Sequence, residues 1–230
     1  MAIEFMLGST KLTIWLLTRK WYAVVLYIFQ AKHPLFLSKM YGKMIQIVPY
    51  RPKWPIQFQQ IATLLKGATK AWETSVYHIG STAVPGLAAK DIIDIQISVN
   101  AFDPEMEKAL NSIGFIRIHH LTDHRPPGRD DLESEHLFKW FFTLDNPAVN
   151  LHVRRRGMFN ERYPLLCRDY LRSNLQAAKA YEAIKFRLAK RFPDDINAYY
   201  EIKDPVFDVL MAGAEFWASA VNWSLSECDR

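Results

Sequence analysis

The chain has 230 residues, half of them hydrophobic and 13% aromatic, which predicts one globular domain with a full core and excludes a disordered chain. Its net charge of +5 comes from residues 1–44, which hold six Lys/Arg and one Glu. The rest of the chain holds 23 basic and 23 acidic residues, so no nucleic-acid partner is expected. Cys167 and Cys228 form no CxxC pair, which argues against a disulfide framework or a cysteine metal site and indicates a cytoplasmic setting.

Residues 1–43 form an apolar and basic leader. Leu12–Phe29 is mostly apolar, but Arg19 and Lys20 interrupt it, and each charge would cost about 2.5–3.5 kcal/mol inside a bilayer. No A-x-A-like cleavage site follows, so a signal peptide is not favoured either. A membrane-spanning helix is disfavoured. A peripheral anchor and a start-site artefact both remain open, the latter because Met44 directly precedes the domain.

The first half of the domain predicts one helix and two strands. A proline-rich entry follows the alternating run Ile45–Val48 and leads into an amphipathic helix whose buried face carries Phe58 and Ile61. Ser75–Ile79 then predicts a short strand. The β-branched density of Asp91–Val99 predicts a second, buried strand.

The second half adds helices and three more strands. Asp103 as N-cap and Pro104 as first helical residue predict a short helix that Gly114 closes. Further on, the pattern predicts strands at Phe115–Ile118, Leu137–Leu144 and Val149–Val153, with a solvated loop at His119–Glu135. It predicts helices after Arg156, from Leu175 until just before Pro193, and after Asp195.

This order predicts an α+β fold, a mixed sheet of about five strands flanked by helices with a C-terminal helical part. No repeat, low-complexity tract or linker interrupts residues 45–210. We therefore place a single domain at residues 45–222 and a tail at residues 223–230. The sequence does not indicate an oligomeric state.

The strongest chemical pattern follows the strand Ser75–Ile79. Gly80 allows backbone N–H groups to approach an anion, and the Ser81 hydroxyl adds another donor. Asp94 lies on the next strand, with twelve residues between it and Ser81, where a divalent metal could join the two. The segment predicts a phosphate-binding turn beside a carboxylate.

Several blocks of the sequence resemble the GrpB family. The blocks are Val48–Pro55, His78–Lys90, Ile93–Ile95, Leu151–Val153, Arg168–Arg172, Lys190–Asp194 and Tyr199–Lys203. The resemblance runs from about Ile45 to Leu210, and HIGSTAVPGLAAK is its most specific motif. It implies a nucleotidyltransferase-type fold, in which the turn holds triphosphate and paired carboxylates hold Mg²⁺. Related domains occur fused to dephospho-CoA kinase, which implies a nucleotide or coenzyme A-related ligand.

The chain departs from the superfamily pattern at Gln96, where a second carboxylate is expected two residues after Asp94. A two-metal clamp therefore lacks one ligand. His152 is the candidate partner of Asp94 as both metal ligand and catalytic residue, and such a pair suits one Zn²⁺, Mn²⁺ or Fe²⁺ better than two Mg²⁺ ions. One divalent metal, Mg²⁺ or Mn²⁺ with Zn²⁺ as the alternative, is the expected cofactor.

Lys90 is the expected phosphate partner, as a compact positive charge. The full predicted phosphate and nucleotide set is His78, Gly80, Ser81, Lys90, Arg154, Arg168 and Lys185. A buried structural role stays open for His78 and His152, as does a structural ion pair for Asp94.

Two functions remain open. One is a nucleotidyl or phosphoryl transferase using one metal on Asp94, and the other is a phosphate-ligand-binding or interaction module that lost the second carboxylate at Gln96. Both expect a nucleotide or phosphorylated small molecule as partner. Both require Ser81, Lys90 and Asp94 to share one cleft with His152.

Overall fold

The computed structural model describes residues 2–7, 10–15 and 44–225. The chain divides into two units, residues 1–44 and 45–230. In the first, strands β1 (Ala2–Leu7) and β2 (Thr10–Trp15) pair antiparallel. Most of the predicted leader lies outside the described residues. Among the helices that are described, none combines the length and apolar character needed to cross a membrane.

The second unit carries a five-stranded sheet and five α-helices in its described residues. The strands are β3 (Ser75–Ile79), β4 (Ile93–Val99), β5 (Ile116–Ile118), β6 (Trp140–Leu144) and β7 (Val149–Arg155). The helices are α1 (Lys53–Ala68), α2 (Pro104–Ser112), α3 (Phe159–Ser173), α4 (Leu175–Arg191) and α5 (Ile196–Ala220). The predicted α+β class with a C-terminal helical part is confirmed.

The sheet order is β3-β4-β7-β6-β5, with β4 and β7 parallel and the other neighbours antiparallel. The parallel pair sets Asp94 opposite Asn150 and Gln96 opposite His152. Side chains alternate between the faces of a strand, so these four residues project from one face of the sheet.

The other face of β4 builds the core. Its Ile93, Ile95, Ile97 and Val99 are at most 2% exposed and belong to one cluster with α1 and α2, which contribute Trp54, Phe58, Leu65 and Met106. The opposite face meets α3, because the buried side chain of Gln96 donates from Nε2 to the backbone oxygen of Glu161 at 3.0 Å. The sheet therefore has an apolar face and a polar one.

Local sequence patterns set most element bounds. Asp103 Oδ1 accepts from the backbone N–H of Glu105 at 2.9 Å, as expected of an N-cap, and Pro104 begins α2. The run Ile45–Val48, which resembled a strand, forms only one bridge, between Val48 and Ala89. A proline follows Val48, and its missing N–H cannot extend the pairing.

The core position of β4 makes a stability prediction. Ile95→Ala should lower the free energy of unfolding by about 2–5 kcal/mol, because it leaves a cavity at a fully buried site. Ile116→Ala is the matched control at a side chain that is 64% exposed, and should change stability by less than about 0.5 kcal/mol. Urea denaturation measures both, and equal losses would contradict the assignment of β4 to the core.

Candidate functional site

A cavity of about 540 Å³ opens where the turn after β3, the strands β4 and β7, and the helices α3–α5 meet. Eight of the nine predicted site residues line it: Gly80, Ser81, Lys90, Asp94, His152, Arg154, Arg168 and Lys185. His78 is the exception. The requirement that Ser81, Lys90, Asp94 and His152 share one cleft is therefore met.

The turn after β3 requires glycine at its first position. Gly80 has φ +70°, in the left-handed region, and a Cβ there would lie 2.4 Å from Oδ2 of Asp94. Ser81–Ala83 then form a single 3₁₀ turn, in which the N–H of Ala83 donates to the oxygen of Gly80 at 3.2 Å. The turn backbone therefore lies directly against a carboxylate.

Asp94 is held at the cavity wall by Asn150, whose Nδ2 donates to Oδ1 of Asp94 at 2.8 Å. Burial raises the pKa of Asp94, while this hydrogen bond and the charge of Lys90 act in the opposite direction. The carboxylate thus has one oxygen engaged by an amide and the other beside Gly80.

Lys185 reaches the turn from α4 and is only 2% exposed. Its Nζ donates to Oγ of Ser81 at 3.0 Å and to the backbone oxygen of Ala88. Burial lowers the pKa of Lys185 to about 7. Among the described residues, no carboxylate forms an ion pair with this ammonium.

Lys90 lies on the same wall, between two tyrosines of α5. Its Nζ donates to the hydroxyl of Tyr200 and lies 4.4 Å and 5.4 Å from the ring centroids of Tyr200 and Tyr199. Burial lowers the pKa of Lys90. It too has no ion pair in the described part of the chain. The tyrosines belong to the family block Tyr199–Lys203, but the sequence assigned them no role.

Arg154 determines which nitrogen of His152 carries the proton. Nη2 of Arg154 lies 3.2 Å from Nδ1 of His152, and because arginine only donates, Nδ1 is the acceptor. Burial lowers the pKa of His152 well below its ordinary value, so the ring is neutral and its proton is on Nε2. His152 is therefore a hydrogen-bond donor at Nε2, without the free lone pair that a metal or a base needs.

The guanidinium of Arg154, predicted to contact phosphate, is engaged by the protein itself. Its Nε and Nη2 donate to the two oxygens of Asp123 at 2.8 and 2.9 Å, and Nη1 donates to Oε1 of Gln96 at 2.9 Å. Lys139 Nζ also pairs with Asp123, at 2.5 Å. These cations hold the pKa of Asp123 well below its usual range, although burial opposes them. With four of its five N–H donors engaged in this way and with His152, Arg154 contributes mainly charge at the wall.

The side chains of His78 and Arg168 contact the turn and the end of β3. The His78 ring stacks on Phe58 with centroids 4.7 Å apart, its Nε2 lies 3.0 Å from Oγ1 of Thr82, and burial lowers its pKa to about 3. Arg168 Nη1 donates to the backbone oxygen of His78 at 3.0 Å, and its Nε donates to Asp169 at 2.7 Å. The His78 ring is enclosed in the core and does not line the cavity, so its predicted binding role is not carried into the proposal below.

The donor set does not fit the divalent metal predicted on Asp94 and His152. His152 offers a proton at Nε2, and the side-chain oxygen of Gln96 already accepts from Arg154. No group of three or more His, Cys, Asp or Glu side chains in residues 44–225 could hold a metal ion. Six Lys or Arg side chains and three Asp side chains line the cavity, so its wall favours an anion.

The loop His119–Glu135, predicted to be solvated, contributes Leu121–His124 to the cavity. Asp123 ties this segment to the sheet through its ion pairs with Arg154 and Lys139. Those partners are 31 and 16 residues away in sequence. Pairing over such separations produces no local spacing pattern, so the sequence offered no indication of it.

Comparisons with known proteins agree with the fold. The sequence profile described as "GrpB protein" matches residues 44–212. The crystal structure of the conserved protein GrpB from Enterococcus faecalis is similar at 28% identity and a TM-score of 0.60, covering 75% of this chain and 99% of that one.

Curated relatives differ in how much of their length is matched. A UPF0157 protein of Halalkalibacterium halodurans is 30% identical over 183 residues, covering 76% of this chain and 85% of that protein. A protein of Mycolicibacterium paratuberculosis named dephospho-CoA kinase is 33% identical over 207 residues, covering 83% of this chain and 51% of that protein. The chain thus spans about half the length of this and similar mycobacterial relatives.

The close approach of Gly80 to Asp94 makes a testable prediction. Gly80→Ala should destabilise the protein by more than the roughly 1–2 kcal/mol that left-handed backbone costs an alanine, because its Cβ also meets a carboxylate. Gly86→Ala is the matched control, since Gly86 has φ +76° and open space at its Cβ position. Thermal and urea unfolding compare the two variants. Equal destabilisation would contradict the contact between residue 80 and Asp94.

Proposed function

The chain belongs to the GrpB family, and from that premise we propose that its cavity binds a nucleotide or another phosphorylated small molecule, with a phosphate beside Gly80 and Ser81. The observation that carries the proposal is a pair of cations on one wall, the half-buried Lys90 and the buried Lys185, which form no ion pair in the described residues. A buried charge is unfavourable unless an opposite charge accompanies it. A bound phosphate supplies that charge.

The remaining wall suits an organic group attached to the phosphate. Aromatic side chains line it: Phe141, Phe159, Tyr163, Tyr199, Tyr200 and Phe207. The volume of about 540 Å³ lies within the roughly 300–1,000 Å³ typical of small-molecule sites. A nucleobase or a pantetheine chain would pack against these rings. The dephospho-CoA kinase name of several relatives supports a coenzyme A-related ligand as one candidate.

Nucleotidyl or phosphoryl transfer is the second candidate, and Asp94 favours it. This carboxylate adjoins the phosphate turn, and burial raises its pKa toward the range in which a carboxylate accepts a proton from an attacking hydroxyl. Binding requires no such step. Slow conversion of a bound nucleotide, lost in Asp94→Asn, would separate transfer from binding alone.

Removing the Lys185 ammonium should weaken ligand binding. Lys185→Met keeps the aliphatic volume but loses a charge-assisted contact of about 1.5–3 kcal/mol, so the affinity should fall about 10- to 100-fold. Isothermal titration calorimetry with ATP and with dephospho-CoA measures this. Lys190→Met is the matched control, because Lys190 is on the same helix, exposed and outside the cavity lining. Equal affinities for both variants and the parent chain would contradict the proposal.

Binding should also weaken as the pH rises above 7. Because the pKa of Lys185 is about 7 in the ligand-free protein, its side chain loses its positive charge as the pH rises from 7 to 9. Glu182 and Asp94 act to raise that pKa, and Lys203 acts to lower it. Affinity for ATP should therefore fall between pH 7 and pH 9, by at most about tenfold per unit. Titrations of the parent chain and of Lys185→Met over this range measure the effect, which the variant should lack. A flat profile in the parent chain would contradict it.

Lys185 also makes the stability of the fold depend on pH, and this dependence is opposite in sign to that of ligand affinity. The native pKa of about 7 lies below the ordinary 10.5, so between these values the unfolded chain binds more protons than the native one. The contribution of Lys185 to stability therefore rises with pH across this window.

A further inference from the structure

Gln96 occupies the strand position where the nucleotidyltransferase pattern has its second metal-binding carboxylate. The side chain is fully buried, its Oε1 accepts from Arg154, and its Nε2 donates to the backbone oxygen of Glu161 and to Oγ of Ser98. Both ends of the amide are therefore committed to protein groups. In that pattern, a carboxylate oxygen at this position faces a metal ion. In this chain, the side-chain oxygen of Gln96 faces the guanidinium of Arg154 instead.

The guanidinium of Arg154 belongs to a cluster with an excess positive charge. Arg154 is 4% exposed, and together with Lys139 it shares a single carboxylate, that of Asp123. Asn160 fixes the same carboxylate, since its Nδ2 lies 3.1 Å from Oδ2 of Asp123 and also donates to a backbone oxygen. Because Arg154 and Lys139 share one carboxylate, the cluster carries about one net positive charge. Its side chains are largely buried, and electrostatic interactions are stronger there than in water.

His152, which lies beside Arg154, also presents a hydrogen-bond donor that suits an anionic ligand. Because Arg154 donates to Nδ1 of His152, the neutral ring keeps its proton on Nε2. Lys90 and Lys185 add two further cations to the cavity. Each of these groups offers a hydrogen-bond donor or a positive charge. A phosphoryl oxygen is attracted to both, whereas a metal ion needs lone pairs and is repelled by cations.

We infer that fixed protein cations take the place of divalent metal in this cavity, so that it binds the metal-free form of a phosphorylated ligand. The inference rests on the proposed function. The Arg154–Lys139–Asp123 cluster supplies charge from the strand side, and Lys90 and Lys185 supply it from the turn. When a nucleotide binds as its Mg²⁺ complex, the protein cations repel the Mg²⁺ ion. The complex therefore binds more weakly than the metal-free nucleotide.

Calorimetry with two nucleotides tests the inference. ATP binds Mg²⁺ strongly and AMP binds it weakly, so both are titrated into the full chain in EDTA and again in excess MgCl₂ or MnCl₂. Metal is expected to weaken ATP binding and to leave AMP binding nearly unchanged, and the electron paramagnetic resonance spectrum of Mn²⁺ alone is expected to be unaffected by the protein. Binding of ATP at least tenfold tighter with metal, or capture of Mn²⁺ by the protein alone, would overturn the inference while leaving the proposed function intact. Absence of binding by both nucleotides under every condition would contradict the proposed function and the inference together.

A variant in the cluster tests its charge directly. Gln96→Glu adds one negative charge beside Arg154 and should weaken ATP binding in EDTA by about threefold or more, without creating Mn²⁺ binding. Asn100→Asp is the matched control, an amide-to-acid change at an exposed position just beyond β4. Should Gln96→Glu fail to fold by circular dichroism, Lys139→Met removes one cation of the cluster and should weaken binding similarly. Unchanged or tighter ATP binding in the folded variant would overturn the role of the cluster.

Discussion

The Asp94 carboxylate and the backbone of residue 80 lie so close that no side chain fits between them. A Cβ at Gly80 would come within 2.4 Å of Oδ2 of Asp94, and the turn adopts φ +70° to pass it. This approach sets Ser81 at the edge of the cavity, where Lys185 of α4 reaches its hydroxyl. A turn, a central strand and a C-terminal helix thereby meet at one point, although their residues are far apart in the sequence. The site depends on this packing before any ligand is present.

Positive charge predominates among the ionisable side chains that line the cavity. Nucleotidyltransferase-type sites gather carboxylates to hold metal, whereas here Gln96 and Asp123 both bind Arg154, and His152 keeps its proton on Nε2. Lys90 and Lys185 reinforce the excess of positive charge. On the polar face of β4 and β7, the groups beside Asp94 are thus an amide, an imidazole N–H and a guanidinium rather than a set of carboxylates. A shared fold therefore does not determine the chemistry of this site.

Most of the fold could be predicted because its determinants are local. Asp103 and Pro104 define the start of α2 within two residues, and the alternation over Val149–Val153 predicts most of β7 without reference to the rest of the chain. The roles of the two strand histidines could not be predicted in this way. His78 pairs opposite Ile95 and shares the core face with it, whereas His152 pairs opposite Gln96 on the polar face. Strand register separates them, and register is set by tertiary contacts that a single sequence does not show.

Crystals grown with tungstate, an anomalously scattering stand-in for phosphate, test the central claim most directly. An anion attracted by the cavity lysines should give a peak within about 3–4 Å of the Ser81 hydroxyl, contacting Nζ of Lys90 or Lys185, as expected for a charge-assisted hydrogen bond to an oxyanion. Peaks confined to surface arginines and lysines, with none in the cavity, would contradict the assignment of this pocket to a phosphorylated ligand.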